Sequence, residues 1–268
     1  MDFVQVAGWE RYLWLRHGFS TRAGGVSTVY GGSSLNLGWT KEDDPALVVE
    51  NRRRFARAVS GRDEKAIALR QVHSATIRVV REGDGPFEKP DGRALLEGDG
   101  LMTDVPGRLL GIQTADCVPV MVVDTEKRAV AVFHAGWRGT VAGIVEAGVA
   151  RMGEEFGSRA EDLVAAVGPS IGVCCYSVGE EVRTAFRDRF AYADQLFRES
   201  ANVLSVDLWE ANRRQLLEAG VPVERIAVIG ECTGCAVSAT GERRYFSHRV
   251  DRGVTGRMMS CVEVVPSV

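Results

Sequence analysis

The segment that most restricts the fold is residues 114–140. There, two short Val-rich apolar runs, 118–123 and 129–133, stand on either side of the polar link 124–128. Apolar runs of this length bounded by turn signals read as buried strands. If they pair as an antiparallel hairpin, the start of the first lies beside the end of the second. Cys117 immediately precedes the first run and His134 immediately follows the second. A thiolate and an imidazole then meet at one edge of a sheet. Gly136-Trp137-Arg138-Gly139-Thr140 follows and leads into a helical pattern, so a helix start and a guanidinium point to the same corner.

The remaining chain alternates strands and helices without a repeating period. Asp44-Pro45 has the N-cap and first-turn chemistry of a helix start, Val48, Phe55 and Val59 form its apolar stripe, and Gly61 stops it. Residues 66–72 and 76–80 read as strands with His73 at a strand end, and 108–113 as a third. One continuous helix is expected over 139–156, because Val141, Ile144, Val145, Gly148, Met152 and Phe156 share a face. Residues 163–167, 203–206, 225–230 and 260–265 read as strands. Ser177 and Glu180 have capping-box spacing for a helix near 178, and Asp207 with Glu210 marks another over 208–219. Gly24-Gly25, Gly31-Gly32 and Ser33-Ser34 suggest a long flexible loop that ends at the Asn36-Leu37-Gly38 turn, and a loop of that length is more often functional than idle. No composition break marks a boundary. The expectation is one α/β domain over 1–268, with a mixed sheet flanked by helices.

The whole-chain balance narrows the partners. A net charge of −3 with no dense basic stripe argues against nucleic acid or a membrane surface. No apolar run approaches the roughly 18–20 residues of a membrane span, and the N-terminal stretch lacks a signal-peptide pattern. A cytoplasmic location is the expectation. There the six cysteines stay reduced, which directs attention to metal and thiol chemistry. Neither G-x-G-x-x-G nor a P-loop pattern is present.

Two of the four histidines, His73 and His134, follow a strand and precede a small-residue turn. With Cys117 they match a zinc-enzyme ligand set whose fourth position is left to water. Copper suits the same donors. The ligands lie 44 and 17 residues apart, so no local spacing motif supports them. The bland alternative is two buried, hydrogen-bonded histidines and a small apolar cysteine. A metal-free reading makes Cys117 a nucleophile, His134 its base, and Asp116 or Gln113 the orienting group. Arg138 suits an anion, and the Gly168–Gly172 turn offers a second backbone cradle. Cys232 and Cys235 have C-x-x-C spacing. Their only partner pair would be the adjacent Cys174 and Cys175, which do not readily ligate one metal together, so a four-cysteine site is disfavoured. Cys261 belongs to the core of the final strand. His17 and His248 fall in loop-like segments, His17 in a structural role.

Several motifs together resemble one known family. They are FSTRAGGVS, NLG followed by DDP and ENR, QVHS, DGLMT, TADCVPV, HAGWRG, GPSIG with CCY, and the terminal TGR. In this order, over nearly the whole chain, they resemble the YfiH/YlmD family. It is also called the laccase-domain or multicopper polyphenol oxidoreductase family, and some members are described as peptidoglycan editing factors. The resemblance implies an α/β fold similar to the cysteine-hydrolase (deamidase toxin) fold, and zinc held by His73, Cys117 and His134. It implies a purine nucleoside phosphorylase acting on adenosine, inosine and methylthioadenosine, with adenosine deaminase activity. Nucleoside and phosphate are the partners, and a monomer is expected. Asn36, Asp116, Arg138, Gly172 and Arg249 are the expected substrate or phosphate contacts. Asp99, Asp116 and Glu231 are the loose candidates for protonating the leaving purine. Two departures stand out. The family's S-Y-R-R-D is here Ser247-His248-Arg249-Val250-Asp251, and Ser177 replaces a Glu after Cys-Cys-Tyr, which puts substrate preference in question. An amidase acting on a cell-wall-type substrate through Cys117 and His134 is the alternative. A copper polyphenol oxidase ranks last, because four histidines are too few for several coppers.

Overall fold

The expected hairpin lies at the centre of the molecule. The computed structural model describes residues 1–266. Along them run β1 (Phe3–Val4), β2 (Leu15–Ser20), β3 (Ala23–Ser27), α1 (Pro45–Ser60), β4 (Ile77–Val79), β5 (Gly100–Thr103) and β6 (Leu110–Thr114). Next come β7 (Val118–Asp124), β8 (Ala129–Ala135), α2 (Trp137–Val141), α3 (Ile144–Phe156), β9 (Leu163–Val167) and α4 (Glu180–Arg189). The chain closes with β10 (Phe197–Ser200), β11 (Val203–Val206), α5 (Leu208–Glu218), β12 (Ile226–Val228) and β13 (Met258–Val264).

β7 and β8 pair antiparallel, with Val118 opposite Ala135 and Pro119 opposite His134. They form the middle of a six-stranded mixed sheet, order β12-β9-β7-β8-β5-β4. A second, antiparallel sheet has the order β1-β2-β13-β6. Alternation along β7 and β8 explains the layering, because successive side chains face opposite sides of a sheet. Val118, Val120, Val122, Ala131 and Phe133 join the apolar layer under α3 and α5. Met121, Val123, Val130 and Val132 instead meet Leu110, Ile112 and Val262 of the second sheet. α1 covers that sheet's outer face through Phe55, Ala56 and Val59 against Met259 and Cys261. The result is an α/β fold with a mixed sheet flanked by helices. β6 belongs to one sheet and β7 to the other, so residues 115–117 step across the seam between them and carry Cys117 with them.

Several local expectations are corrected. Residues 66–72 form only isolated bridges, Ile67 to Leu110 and Arg70 to Glu97. The Gln71 side chain supplies what a ladder would, accepting from Gln113 N and donating to Gln113 O, both at 2.7 Å. The helix expected over 139–156 is two helices, because Gly143 takes a left-handed φ of +73° and ends the first. The helix expected near 178 starts at Glu180, after Gly179, with no side-chain cap. Ser177 Oγ is engaged instead by Arg249 Nη1 at 3.0 Å. The caps at Asp44 and Asp207 form as expected, accepting from Ala46 N and Glu210 N. The glycine-rich segment after residue 17 is not a free loop, since it contains part of β2 and all of β3. Buried Asn51 on α1 pins it by accepting from Val26 N and donating to Ser27 Oγ, Ser34 O and Asn36 O. Among the described residues, no helix is long and apolar enough to cross a membrane.

His17 is structural, but on a strand rather than in a loop: it lies in β2, 4% exposed, and its Nε2 accepts from Val6 N at 2.9 Å. Burial lowers its pKa to about 4, only partly opposed by Glu10. The unfolded chain therefore binds the proton more readily than the folded one between about pH 6.5 and 4, and stability is lost as pH falls through that window. On the order of 3 kcal/mol should disappear, from about 1.4 kcal/mol per pKa unit. Denaturant titrations of the wild type and His17→Gln across pH 7 to 4 read this. A wild-type slope no steeper than the variant's would contradict it.

Candidate metal centre and active site

Three side chains converge at the seam. One ligand atom from each of His73, Cys117 and His134 lies within 4.8 Å of the others. His134 is the penultimate residue of β8 and is 3% exposed, whereas His73 is open to solvent. Their rings meet edge-on, with centroids 4.9 Å apart. Gly136 of the HAGWRG turn lies directly beneath. A Cβ there would stand 2.9 Å from Cys117 Sγ and 3.2 Å from His73 Cδ2, so the position needs a residue without one.

Asp99, fully buried just before β5, organises both histidines. Its Oδ1 accepts from His73 N at 3.0 Å and contacts His134 Nδ1 at 2.8 Å. Its Oδ2 accepts from Val72 N, Ser74 N and Ser74 Oγ. One carboxylate thus fixes the turn that carries the first histidine and the ring of the second. The backbone at the corner is forced: His73 has φ +61° and Asp116 has φ +90°, where side chains are rarely accommodated. Sequence reasoning offered Asp99 as a proton donor and gave the orienting role to Asp116 or Gln113. The geometry puts Asp99 in the orienting position. Asp116 turns away, accepting from Thr233 Oγ1 at 2.7 Å and Arg249 N at 2.6 Å.

The electrostatics fit this arrangement. Burial pushes the Cys117 thiol up, but the His134 charge and hydrogen bonds from both histidines outweigh it and bring the pKa down to about 6. Burial alone would lower His134, yet the Cys117 charge and the Asp99 carboxylate raise it to about 9. Asp99, pushed up by burial, is held at about 2 by His134 and Ser74. The corner therefore favours a thiolate without any external cation.

A cleft of about 510 Å³ opens over the triad, lined also by Trp39, Gln113, Arg257 and His248. Trp39 and Arg257 were not expected there, whereas His248 is one of the two departures that put substrate preference in question. Arg257 belongs to the terminal TGR motif that carried the resemblance, and that was the signal available. Asn36, an expected contact, is buried and spends its amide on Gly38, Asp43 and the backbone N–H of Arg257, so it shapes the cleft through Arg257. The Gly168–Gly172 turn is not a free cradle. Gly168 N donates to Pro119 O, Ser170 N to Glu231 O, Ile171 N to Asp116 O, and Gly172 N to Cys232 Sγ. Arg138 is exposed and lies over the Trp137 ring at 4.2 Å, while Arg249 lies over Tyr176 at 5.3 Å. Burial raises the Tyr176 phenol to about 12, with the Cys117 and Asp116 charges adding to the rise and Arg249 and Arg138 opposing it. All four charged groups thus bear on one phenol at the side of the triad. Glu231 is occupied by Arg244 and Tyr245, bonds that tie it to the surrounding framework.

Comparison with known proteins assigns the chain to a family. The family profile described as multi-copper polyphenol oxidoreductase laccase matches residues 16–265. "Purine nucleoside phosphorylase YlmD" of Geobacillus stearothermophilus is 40% identical over 261 residues, 93% of each chain. Its crystal structure superposes with a TM-score of 0.87, covering 98% of this chain and 99% of that one. The crystal structure of the Bacillus licheniformis hypothetical protein YfiH also gives 0.87, at 34% identity, covering 98% of this chain and 96% of that one. "Adenosine deaminase RL5", from an unknown prokaryotic organism, is 36% identical over 241 residues, covering 89% of this chain and 92% of that one. The chain belongs to the multi-copper polyphenol oxidoreductase laccase family, the YfiH/YlmD family that its motifs resemble.

Proposed function

We propose that this chain is a zinc-dependent purine nucleoside phosphorylase, acting on adenosine, inosine and methylthioadenosine, that also deaminates adenosine. The observation that carries this reading is the convergence of His73, Cys117 and His134 at the floor of the cleft. The donor set fits a metal. His134 commits Nδ1 to Asp99, which leaves Nε2 to face Cys117 and a shared metal, and a carboxylate behind a ligating imidazole is the usual support for such a ligand. Copper takes the same donors. Zinc is preferred because neither phosphorolysis nor deamination changes an oxidation state. Bound zinc supplies Lewis acidity at the reacting centre.

The chain's own groups supply the rest. In phosphorolysis a phosphate oxygen bonds to ribose C1′ as the C1′–N9 bond breaks, and the purine leaves with the electron pair and takes a proton. Arg138, over Trp137, and Arg249, over Tyr176, are the cations assigned to the phosphate. Asp99, kept ionised, and Asp116, with both oxygens occupied, are poor proton donors. His248 in the cleft wall is the better-placed group for the departing base. Arg249→Ala and Arg138→Ala should each raise the KM for phosphate about 10- to 100-fold, from roughly 1.5–3 kcal/mol per charge-assisted hydrogen bond, and leave the KM for nucleoside nearly unchanged. An unaltered phosphate KM in both variants removes them from that role.

Incubation with adenosine, with and without phosphate, tests the whole reading. Adenine plus ribose 1-phosphate, or inosine plus ammonia, supports it. Neither product above a Cys117→Ala control defeats it.

A second reading has one specific observation in its favour. Cys117, His134 and Asp99 stand in nucleophile, base and orienting positions, and the thiol is already drawn toward its ionised form. Such an amidase would suit the proposed likeness to the cysteine-hydrolase fold. It would turn over an amide substrate in chelator-stripped protein, where the phosphorylase reading predicts no turnover.

A further inference from the structure

We propose that Cys174, Cys175, Cys232 and Cys235 form a second metal site, a structural tetrathiolate centre for zinc, separate from the triad. The four sulfurs lie within 4.8 Å of one another. Four sulfurs at about 2.3 Å from a tetrahedral zinc stand roughly 3.8 Å apart. The Cys174 and Cys235 sulfurs are 3.7 Å apart, close to that edge and far from a disulfide bond length of about 2.05 Å.

The backbone is built for the purpose. Two tight turns deliver the ligands. In one, Cys175 N and Tyr176 N both donate to Gly172 O; in the other, Cys235 N and Ala236 N both donate to Cys232 O. Strand-like contacts between the segments, Ser170 N to Glu231 O and Thr233 N to Ser170 O, lay the turns side by side. Gly172 N donates to Cys232 Sγ at 3.2 Å, a contact that favours the charged sulfur a metal needs. The objection to adjacent cysteines holds for a strand, where neighbouring side chains face opposite ways. Cys174 and Cys175 sit in a turn, where that alternation does not apply.

The position gives the metal something to hold. Thr233, inside the C-x-x-C turn, donates to Asp116 beside Cys117, and Tyr176 directly follows Cys175. Joining the two turns therefore fixes one wall of the active site without adding a group to the reaction.

Counting metal separates this site from the triad. Zinc-loaded wild type should carry two equivalents, His73→Ala one, and the Cys174→Ser/Cys235→Ser double variant one. The last two substitutions are at exposed positions, so the variant should fold. His73→Ala loaded with cobalt(II) should show the strong visible bands and sulfur-to-metal charge transfer of a tetrahedral tetrathiolate. Combining His73→Ala with the double cysteine change should abolish both. Two equivalents retained in the double cysteine variant would overturn the proposal. So would a Cys174–Cys235 disulfide, or four freely alkylated thiols, in zinc-loaded His73→Ala. The cobalt spectrum and the thiol state are read in His73→Ala, which lacks a complete triad, so they stand whether or not the purine reading does.

Discussion

Asp99→Asn is expected to lower metal affinity by about 10- to 100-fold and catalytic activity with it, although Asn fills the same volume. The carboxylate accepts five hydrogen bonds, four from residues 72–74 and one from the His134 ring. An amide keeps one acceptor and points a donor at groups that themselves donate. The His73 turn then loses the contact that offsets its left-handed backbone, and the His134 ring loses its fixed tautomer. Competition against a chelator of known affinity reads the first effect, and adenosine turnover the second. Wild-type zinc affinity together with wild-type turnover would show that the histidines are held by something else. Wild-type stability with lost affinity would confine the effect to the site.

Phe133→Ala is expected to cost about 3–5 kcal/mol of folding stability, the range for emptying a buried aromatic position. The ring is fully buried at the middle of the helix-covered layer and presses on two glycines. A Cβ on Gly148 of α3 would lie 2.2 Å from the ring, and one on Gly100 of β5 would lie 2.8 Å away. The glycines let helix and strand close on the ring, so nothing nearby can fill the space it leaves. Urea unfolding at constant slope measures the loss. A cost under about 1 kcal/mol would mean that α3 settles into the gap, and would contradict close packing there.

The strongest patterns were legible. Both Val-rich runs became β7 and β8, because each is buried on both faces and each lies within a few residues of its partner. The Cys117–His134 juxtaposition followed from that register alone. Asp99 was not legible in its true role, since it acts on backbone amides 25–27 residues away and an acceptor of N–H groups leaves no side-chain motif. The break between α2 and α3 was hidden because the apolar stripe continues across Gly143. The cysteine cluster was discounted because Cys174 and Cys175 are adjacent, an objection weakened by the turn in which they sit. Arg257 was visible only as part of a motif, because its cleft position depends on Asn36, 221 residues away.

The left-handed backbones at His73 and Asp116 bear on any attempt to harden this protein. Each costs roughly 1–2 kcal/mol that Gly would largely recover. A library ranked by survival at high temperature would therefore drift toward replacing them, and would give its best scores to variants that had discarded the His73–Cys117–His134 corner. Tougher descendants of this chain will come from changes elsewhere, with these two positions held constant through every round.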